Sequence, residues 1–299
     1  MLVVVCPGQG SQTPGFLAPW LELPSFRERI GTFSEAIGID LIQHGTISDA
    51  DTIRDTSIAQ PLIVAASIAS AGEISENFGA VAGHSVGEVA AAALAGILAP
   101  TDAMKLVKKR GDAMAEAAKL QSTSMAAVLG GDEAVVLERL RELNLTPANY
   151  NGAGQIVAAG AANDIAELVA AGPAGSRVIQ LQVAGAFHTS YMEPAVSELT
   201  EFVSHLEVRN PSSRIWTNRD GSEITDGAEF LNLIVGQVAN SVRWDLCMQS
   251  LQSATALIEV SPAGTLAGLA KRALPGVEIL ALKTPDQLDA ARELIANHA

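Results

Sequence analysis

Residues 80–95 combine a short apolar run, a glycine-flanked turn and an alanine-rich segment, in the order strand, sharp turn, helix. Ser85 occupies the apex of the turn, within Gly83-His84-Ser85-Val86-Gly87. Glycines suit such a tight turn because a Cβ atom would collide with neighbouring backbone. The unpaired N–H groups at the start of the next helix suit an oxyanion. The stretch therefore predicts a nucleophilic serine, with a purely structural turn as the alternative.

The composition excludes several classes of protein. The chain has 299 residues, 48% of them hydrophobic, which is enough for one large core or a domain with an insertion. A net charge of −14 argues against nucleic acid as a partner. Cys6 and Cys247 are far apart and suggest neither a disulfide framework nor a metal site. Without a basic leader or a bilayer-spanning apolar run, we expect a cytoplasmic protein with no membrane partner.

Strand and helix patterns alternate over residues 255–297, which predicts an α/β fold with a parallel, wound sheet. Residues 2–6 are a β-branched run typical of a buried strand. Residues 124–188 instead follow the order βαββαβ, typical of a ferredoxin-like subdomain. We therefore predict a discontinuous large α/β catalytic domain, residues 1–123 and 189–299, with the ferredoxin-like subdomain inserted at 124–188.

Residues 101–119 are strongly periodic and predict an amphipathic helix. Arg110 falls on its apolar face, and Met114 lies one turn after it. A guanidinium in an apolar stripe needs an anionic partner or a route to water. The helix therefore predicts either an anion-binding arginine or an arginine that reaches the surface or a structural carboxylate.

A nucleophilic serine needs a base within hydrogen-bond reach. Of the five histidines, His188 is the best candidate, because we expect it to end a strand beside a glycine-containing bend. At least two further strand–helix units follow His188, which disfavours an α/β-hydrolase, where the histidine comes late. A patatin-like lipase would use an aspartate instead, and Asp220-Gly221-Ser222 matches its turn only in part.

Motifs along almost the whole chain resemble those of the malonyl-CoA:acyl carrier protein transacylase family. They are Pro7-Gly8-Gln9-Gly10-Ser11-Gln12, Thr56-Ser57-Ile58-Ala59-Gln60-Pro61, Gly83-His84-Ser85-Val86-Gly87-Glu88, Arg110-Gly111, Asn149-Tyr150-Asn151, Gln155-Ile156-Val157-Ala158-Ala159-Gly160, Phe187-His188, Gln237 and Asn240-Ser241-Val242-Arg243-Trp244. Two positions depart from the family pattern: Val86 replaces a frequent leucine, and Ser261-Pro262-Ala263-Gly264 replaces a Gly-Pro-Gly turn.

The resemblance implies a role for each matching residue. Ser85 and His188 would form the catalytic dyad, with His188 oriented by the main-chain carbonyl of Gln237. The backbone N–H groups of Gln9 and Val86 would form the oxyanion hole.

The resemblance also implies how the acyl group is recognised. Arg110 would bind the free carboxylate of malonate, and Phe187 and Met114 would contact the substrate. Polyketide acyltransferases share the fold, and an aromatic residue before the histidine, as at Phe187, accompanies malonyl specificity there.

The implied reaction transfers a malonyl group from malonyl-CoA to the phosphopantetheine thiol of acyl carrier protein, through a malonyl-serine ester and without a cofactor or metal. Three alternatives stay open: a serine hydrolase or esterase that uses the same dyad, a polyketide-pathway acyltransferase, and a non-catalytic carrier-binding domain. Because carrier proteins are acidic, docking would need a local basic patch. The candidates are Lys105, Lys108 and Lys109, or Lys271 and Arg272.

Overall fold

The computed structural model describes residues 1–75, 77–183 and 185–298. These residues form two five-stranded sheets. The strands of the first sheet, in spatial order, are β10 (Glu278–Ala281), β9 (Ala256–Glu259), β1 (Leu2–Cys6), β2 (Ala80–Gly83) and β7 (Arg214–Ile215). The strands of the second sheet are β6 (Ser176–Gln180), β3 (Thr123–Gly130), β5 (Gln155–Ala161), β4 (Thr146–Gly152) and β8 (Val242–Arg243).

Twelve α-helices surround the sheets within the described part of the chain. They are α1 (Pro24–Ile37), α2 (Leu41–Thr46), α3 (Thr56–Ala71), α4 (Gly87–Leu94), α5 (Pro100–Lys119), α6 (Glu133–Glu142), α7 (Ala162–Ala170), α8 (Glu193–Val203), α9 (Gly227–Gln237), α10 (Trp244–Ser250), α11 (Thr265–Ala273) and α12 (Leu288–His298). None of the described helices is both long and apolar enough to cross a bilayer.

All pairings in the first sheet are parallel, which confirms the predicted α/β fold class. Val3, Val4 and Val5 of β1 are fully buried, because hydrophobic clusters cover both faces of this central strand. The carboxyl ends of β1 and β2 pair at Cys6 and Gly83, so the loops that follow these two strands emerge side by side. This edge of the sheet carries the serine turn.

The second sheet is mixed. Strands β6, β3, β5 and β4 pair antiparallel, and the elements of the chain follow the predicted order βαββαβ. β8 then adds to β4 in parallel, although it comes from residues 242–243, outside the predicted insertion. The second sheet is therefore completed by a strand from the carboxyl-terminal part of the chain. The domain boundaries 1–123, 124–188 and 189–299 stay a prediction.

β6 is shorter than expected, and His188 does not end a strand. β6 stops at Gln180, although the apolar pattern continues to Val183. β6 is an edge strand, and its neighbour β3 extends three residues beyond the partner of Gln180; only one further bond follows, from Leu181 N–H to the Met125 carbonyl across 2.9 Å. Past this point the chain leaves the sheet, and His188 lies in the irregular segment beyond it.

Candidate active site

The serine turn connects β2 directly to α4, as the sequence predicts. Ser85 adopts a φ of 53°, in the left-handed region that side chains other than glycine rarely occupy. Flanking glycines permit this geometry: a Cβ atom on Gly83 would overlap the carbonyl group of Gly87. A Cβ atom on Gly87 would overlap the carbonyl oxygen of Cys6. The turn is thus wedged against β1 and holds Ser85 in a strained position.

Ser85 and His188 are in hydrogen-bond contact. The Ser85 hydroxyl oxygen lies 2.7 Å from His188 Nε2, and His188 Nδ1 lies 2.8 Å from the carbonyl oxygen of Gln237. A carbonyl oxygen can only accept, so Nδ1 carries the proton and Nε2 is free to accept from the serine. This is the tautomer that a general base for Ser85 requires.

The electrostatic environment keeps His188 neutral. Burial lowers the pKa of His188 to about 3, and the positive charge of Arg110 contributes to that lowering. Both residues of the pair are largely shielded, with 9% of Ser85 and 4% of His188 exposed. Ser85 is therefore less exposed than an open turn apex would be, and the imidazole is available as a base near neutral pH.

Two backbone N–H groups are free where the resemblance places the oxyanion hole. Neither Gln9 nor Val86 donates a backbone hydrogen bond to any residue that the structure describes. Val86 is the residue before α4 and is fully buried. The Gln9 side chain donates to Thr56 Oγ1 across 3.3 Å, which ties the loop after β1 to the start of α3.

Arg110 is buried in α5, and no carboxylate of the described residues is in contact with it. Only 1% of its surface is exposed. Its Nη1 donates to Gln60 Oε1 across 2.7 Å and its Nη2 donates to Gln237 Oε1 across 2.8 Å. Its Nε–H is buried and finds no acceptor within the same part of the chain. Burial lowers the pKa of Arg110 to about 10, so the guanidinium stays charged near neutral pH. The site therefore holds a cation between two neutral amides, with the Nε–H unused.

A cavity of about 240 Å³ opens onto the serine. Its lining includes Ser85 and His188, together with Gln60, Met114 and Phe187. The predicted substrate contacts Met114 and Phe187 therefore share one cavity with the serine and the histidine. Arg110 is not part of its surface, because Gln60 lies between the guanidinium and the open space.

Three polar residues near the site were not assigned a role from the sequence: Gln60, Glu88 and Asn218. The side chain of Asn218 accepts from the Ser85 backbone N–H across 2.7 Å and donates to the Gly83 carbonyl across 2.8 Å, so it clamps the serine turn. Gln60 and Glu88 lie within the motifs quoted in the sequence analysis, so the sequence marks these two positions without indicating their roles. Asn218 follows a short strand and gave no signal of its own.

The other sequence candidates lie outside the serine site. Asp220 accepts from Ser222 within its own half-exposed turn and forms no contact with Ser85, so the patatin-like alternative has no support. His84 points away from the Ser85 hydroxyl, as predicted, toward Asn151 across 2.8 Å. Cys6 and Cys247 are buried free thiols.

Known proteins resemble this chain over its whole length. The family model described as acyl transferase domain matches residues 3–291. A malonyl CoA-acyl carrier protein transacylase of Mycobacterium tuberculosis is 46% identical over 297 residues, covering 97% of this chain and 98% of the relative. One from Escherichia coli strain K12 is 32% identical over 303 residues, covering 97% of this chain and 98% of the relative.

Solved structures agree with these relatives. The crystal structure of MCAT from Mycobacterium tuberculosis superposes with a TM-score of 0.94 at 45% identity, covering 98% of this chain and 99% of that one. A malonyl-transacylase in complex with its type II PKS acyl-carrier protein gives a TM-score of 0.91 at 28% identity, with coverage of 98% and 99%. The chain therefore belongs to the acyl transferase domain family and, within it, to the malonyl CoA-acyl carrier protein transacylases.

Proposed function

We propose that this chain transfers a malonyl group from malonyl-CoA to the phosphopantetheine thiol of an acyl carrier protein, through an ester on Ser85. The observation that carries this proposal is the state of Arg110. A buried guanidinium held by two neutral amides, with an unused Nε–H, is a binding site for a carboxylate. Malonyl has such a carboxylate, whereas acetyl does not. The names of the relatives point to the same substrate.

In the first half-reaction, His188 Nε2 takes the hydroxyl proton as Ser85 Oγ attacks the thioester carbonyl of malonyl-CoA. The negative charge develops on the carbonyl oxygen, where the N–H groups of Gln9 and Val86 donate to it. The carbon–sulfur bond then breaks, CoA thiolate leaves, and His188 returns the proton to it. The product is a malonyl ester on Ser85.

In the second half-reaction, the thiol of the carrier protein's phosphopantetheine gives its proton to His188 Nε2. Its sulfur attacks the ester carbonyl, and the same two N–H groups hold the oxyanion. The ester bond breaks, and Ser85 Oγ recovers the proton from His188. Only protons and the acyl group move, so the proposed cycle uses no metal or redox cofactor.

A serine hydrolase would use the same dyad on another ester, with water in place of the carrier thiol. Arg110 argues against this alternative, because a general esterase gains nothing from a buried cation beside its acyl cavity. The carrier can belong to fatty acid or to polyketide synthesis, and one structural neighbour was solved with a type II PKS carrier protein. We place the reaction in the cytoplasm, since the chain keeps two buried free cysteines.

Intact-mass measurement tests the proposal. Wild type mixed with malonyl-CoA should gain one malonyl group, and Ser85→Ala should gain none. Addition of phosphopantetheinylated carrier protein should move that mass to the carrier. Acylation of Ser85→Ala would contradict the serine assignment. Release of free malonate without transfer to the carrier would favour the hydrolase.

A further inference from the structure

Glu88 is a buried acid that the proposed cycle does not use. It lies in the first turn of α4, three residues after Ser85, and 1% of it is exposed. It is not part of the cavity lining, so substrate does not reach it. Burying a carboxylate is unfavourable unless hydrogen bonds or an opposite charge compensate it. The position of this buried carboxylate therefore calls for a functional explanation.

Two N–H donors satisfy this carboxylate. One oxygen accepts from the backbone N–H of Asn218 across 2.6 Å, and the other accepts from Gln237 Nε2. Burial raises the pKa of Glu88 to about 8, while the Asn218 bond, the charge of Arg110 and the Gln237 bond all act to lower it. Because both partners are donors, these two hydrogen bonds favour the ionised carboxylate and act against the effect of burial.

In the described ranges, Glu88 is the one charged acceptor among three that fix which way the Gln237 amide faces. A glutamine amide has an acceptor on one side and a donor on the other, and the two orientations have nearly the same shape. Here Nε2 faces Glu88, the Ser85 carbonyl at 3.2 Å and the Asn218 Oδ1 at 3.3 Å. Oε1 is thereby directed at Arg110 Nη2. Reversal would place an NH₂ group against a guanidinium.

We propose that Glu88 is a positioning residue for acyl specificity: by fixing the Gln237 amide, it presents a neutral oxygen to Arg110 and leaves the guanidinium available to the acyl carboxylate. The negative charge stays one side chain away from the arginine. It stabilises the buried cation without occupying the position that the substrate needs. This inference rests on the proposed function, because it assigns Arg110 to the malonyl carboxylate.

Glu88→Gln removes the constraint with little change in volume. The introduced amide can still accept from the Asn218 N–H, but its NH₂ group then faces Gln237 Nε2. Two donors in contact are unfavourable, so the Gln237 amide is displaced from its present position and the contact of its Oε1 with Arg110 Nη2 weakens. The guanidinium is then held less firmly and shifts. Glu88→Asp keeps the charge but is one methylene shorter, so it should hold the amide only in part.

The experiment measures kcat and KM for malonyl-CoA and acetyl-CoA in wild type, both Glu88 variants and Arg110→Ala. The control is Glu73→Gln. Glu73 is a mostly buried carboxylate that pairs with Arg29, and neither residue lines the cavity. In Glu88→Gln, the ratio of malonyl to acetyl kcat/KM should fall at least about tenfold, mainly through KM for malonyl-CoA, as expected when a charge-assisted contact is weakened. Glu88→Asp should give an intermediate ratio, and Glu73→Gln should keep the wild-type ratio.

Equal loss for both thioesters in both Glu88 variants would overturn the inference, because a merely structural residue lowers the two rates together. An unchanged ratio in a folded Glu88→Gln variant would overturn it as well. Arg110→Ala separates this failure from failure of the proposed function. If Arg110→Ala loses the malonyl preference and the Glu88 variants keep it, only the role of Glu88 is wrong. If wild type shows no preference, the proposed function itself is wrong.

Discussion

Arg110 Nη1 donates to Gln60 Oε1 across 2.7 Å, so a neutral amide covers one edge of the buried guanidinium. Gln60 lines the cavity and Arg110 does not, which places the amide between the arginine and the cavity. Gln60 Nε2 also lies 3.5 Å from Met114 Sδ, so the amide is held on both sides. A carboxylate that binds Arg110 must therefore share or replace the contact with Gln60.

The first prediction concerns Gln60→Glu. A glutamate here would pair directly with Arg110 and compete with the malonyl carboxylate. Because a charge-assisted hydrogen bond contributes about 1.5–3 kcal/mol, kcat/KM for malonyl-CoA should fall roughly 10- to 100-fold. Acetyl-CoA should be affected much less. Steady-state assays with both thioesters test this, and an equal loss for both would show that Gln60 does not stand between Arg110 and the acyl group.

His188→Ala tests the general base. The 2.7 Å contact with Ser85 Oγ and the bond to the Gln237 carbonyl place Nε2 to take the serine proton. Loss of a general base slows a reaction by roughly 10²–10⁴-fold, so single-turnover acylation by malonyl-CoA should slow by that factor. Stopped-flow or quenched mass spectrometry measures the rate. Near-normal acylation would exclude His188 as the base.

The pKa of His188 predicts a dependence of stability on pH. In the folded state the pKa lies at about 3, below its ordinary value of 6.5, so between these values the unfolded chain binds a proton that the native state does not. Stability must therefore fall as the pH falls through this window.

His188→Asn isolates that contribution, since the other titrating groups remain in both proteins. As the pH falls from about 7 toward about 4, the free energy of unfolding should decrease more in wild type than in the variant. Urea titrations at each pH measure this difference. A difference that is constant across this range would mean that His188 titrates normally in the folded protein.

Carrier docking should depend on Lys271 and Arg272 rather than on the α5 lysines. Lys105, Lys108 and Lys109 each pair with a carboxylate, from Asp102, Asp112 and Glu198 respectively. Lys271 and Arg272 are exposed at the end of α11, form no ion pair within the described residues, and belong to a helix whose first turn borders the cavity.

Charge reversal at Lys271 and Arg272 should therefore weaken transfer to the carrier protein while acylation by malonyl-CoA continues. The matched control is charge reversal at Lys105 and Lys109. The two half-reactions are measured separately. An equal loss in both half-reactions, or a carrier-specific loss only in the control, would contradict this assignment of the docking surface.

The sequence predicts most of the fold because its periodic segments are long. The helix expected over 101–119 is α5, Pro100–Lys119, and the turn at Ser85 lies between strand and helix as expected. The parallel addition of β8 to the second sheet was missed, since two residues carry no periodicity. β6 was predicted too long because the apolar pattern continues to Val183, beyond the last paired residue.

Site residues that lie within sequence motifs could be predicted, whereas contacts between residues far apart in the sequence could not. The apolar stripe around Arg110 indicates burial, but its acceptors Gln60 and Gln237 lie 50 and 127 positions away. Three of the four α5 ion pairs among the described residues are visible as i,i+3 or i,i+4 spacings, whereas Lys109–Glu198 exists only in the folded chain. Tertiary contacts of this kind have no local signal.

The most direct test of the proposed function is kcat/KM for malonyl-CoA and acetyl-CoA in wild type, Arg110→Ala and Arg110→Lys. Loss of a bidentate contact should lower the malonyl value by several powers of ten in Arg110→Ala, whereas the acetyl value should be retained or rise. Arg110→Lys should recover only part of the malonyl activity, since an ammonium cannot supply the planar pair of donors. A fall by the same factor for both thioesters in Arg110→Ala would contradict the account and make Arg110 a structural residue.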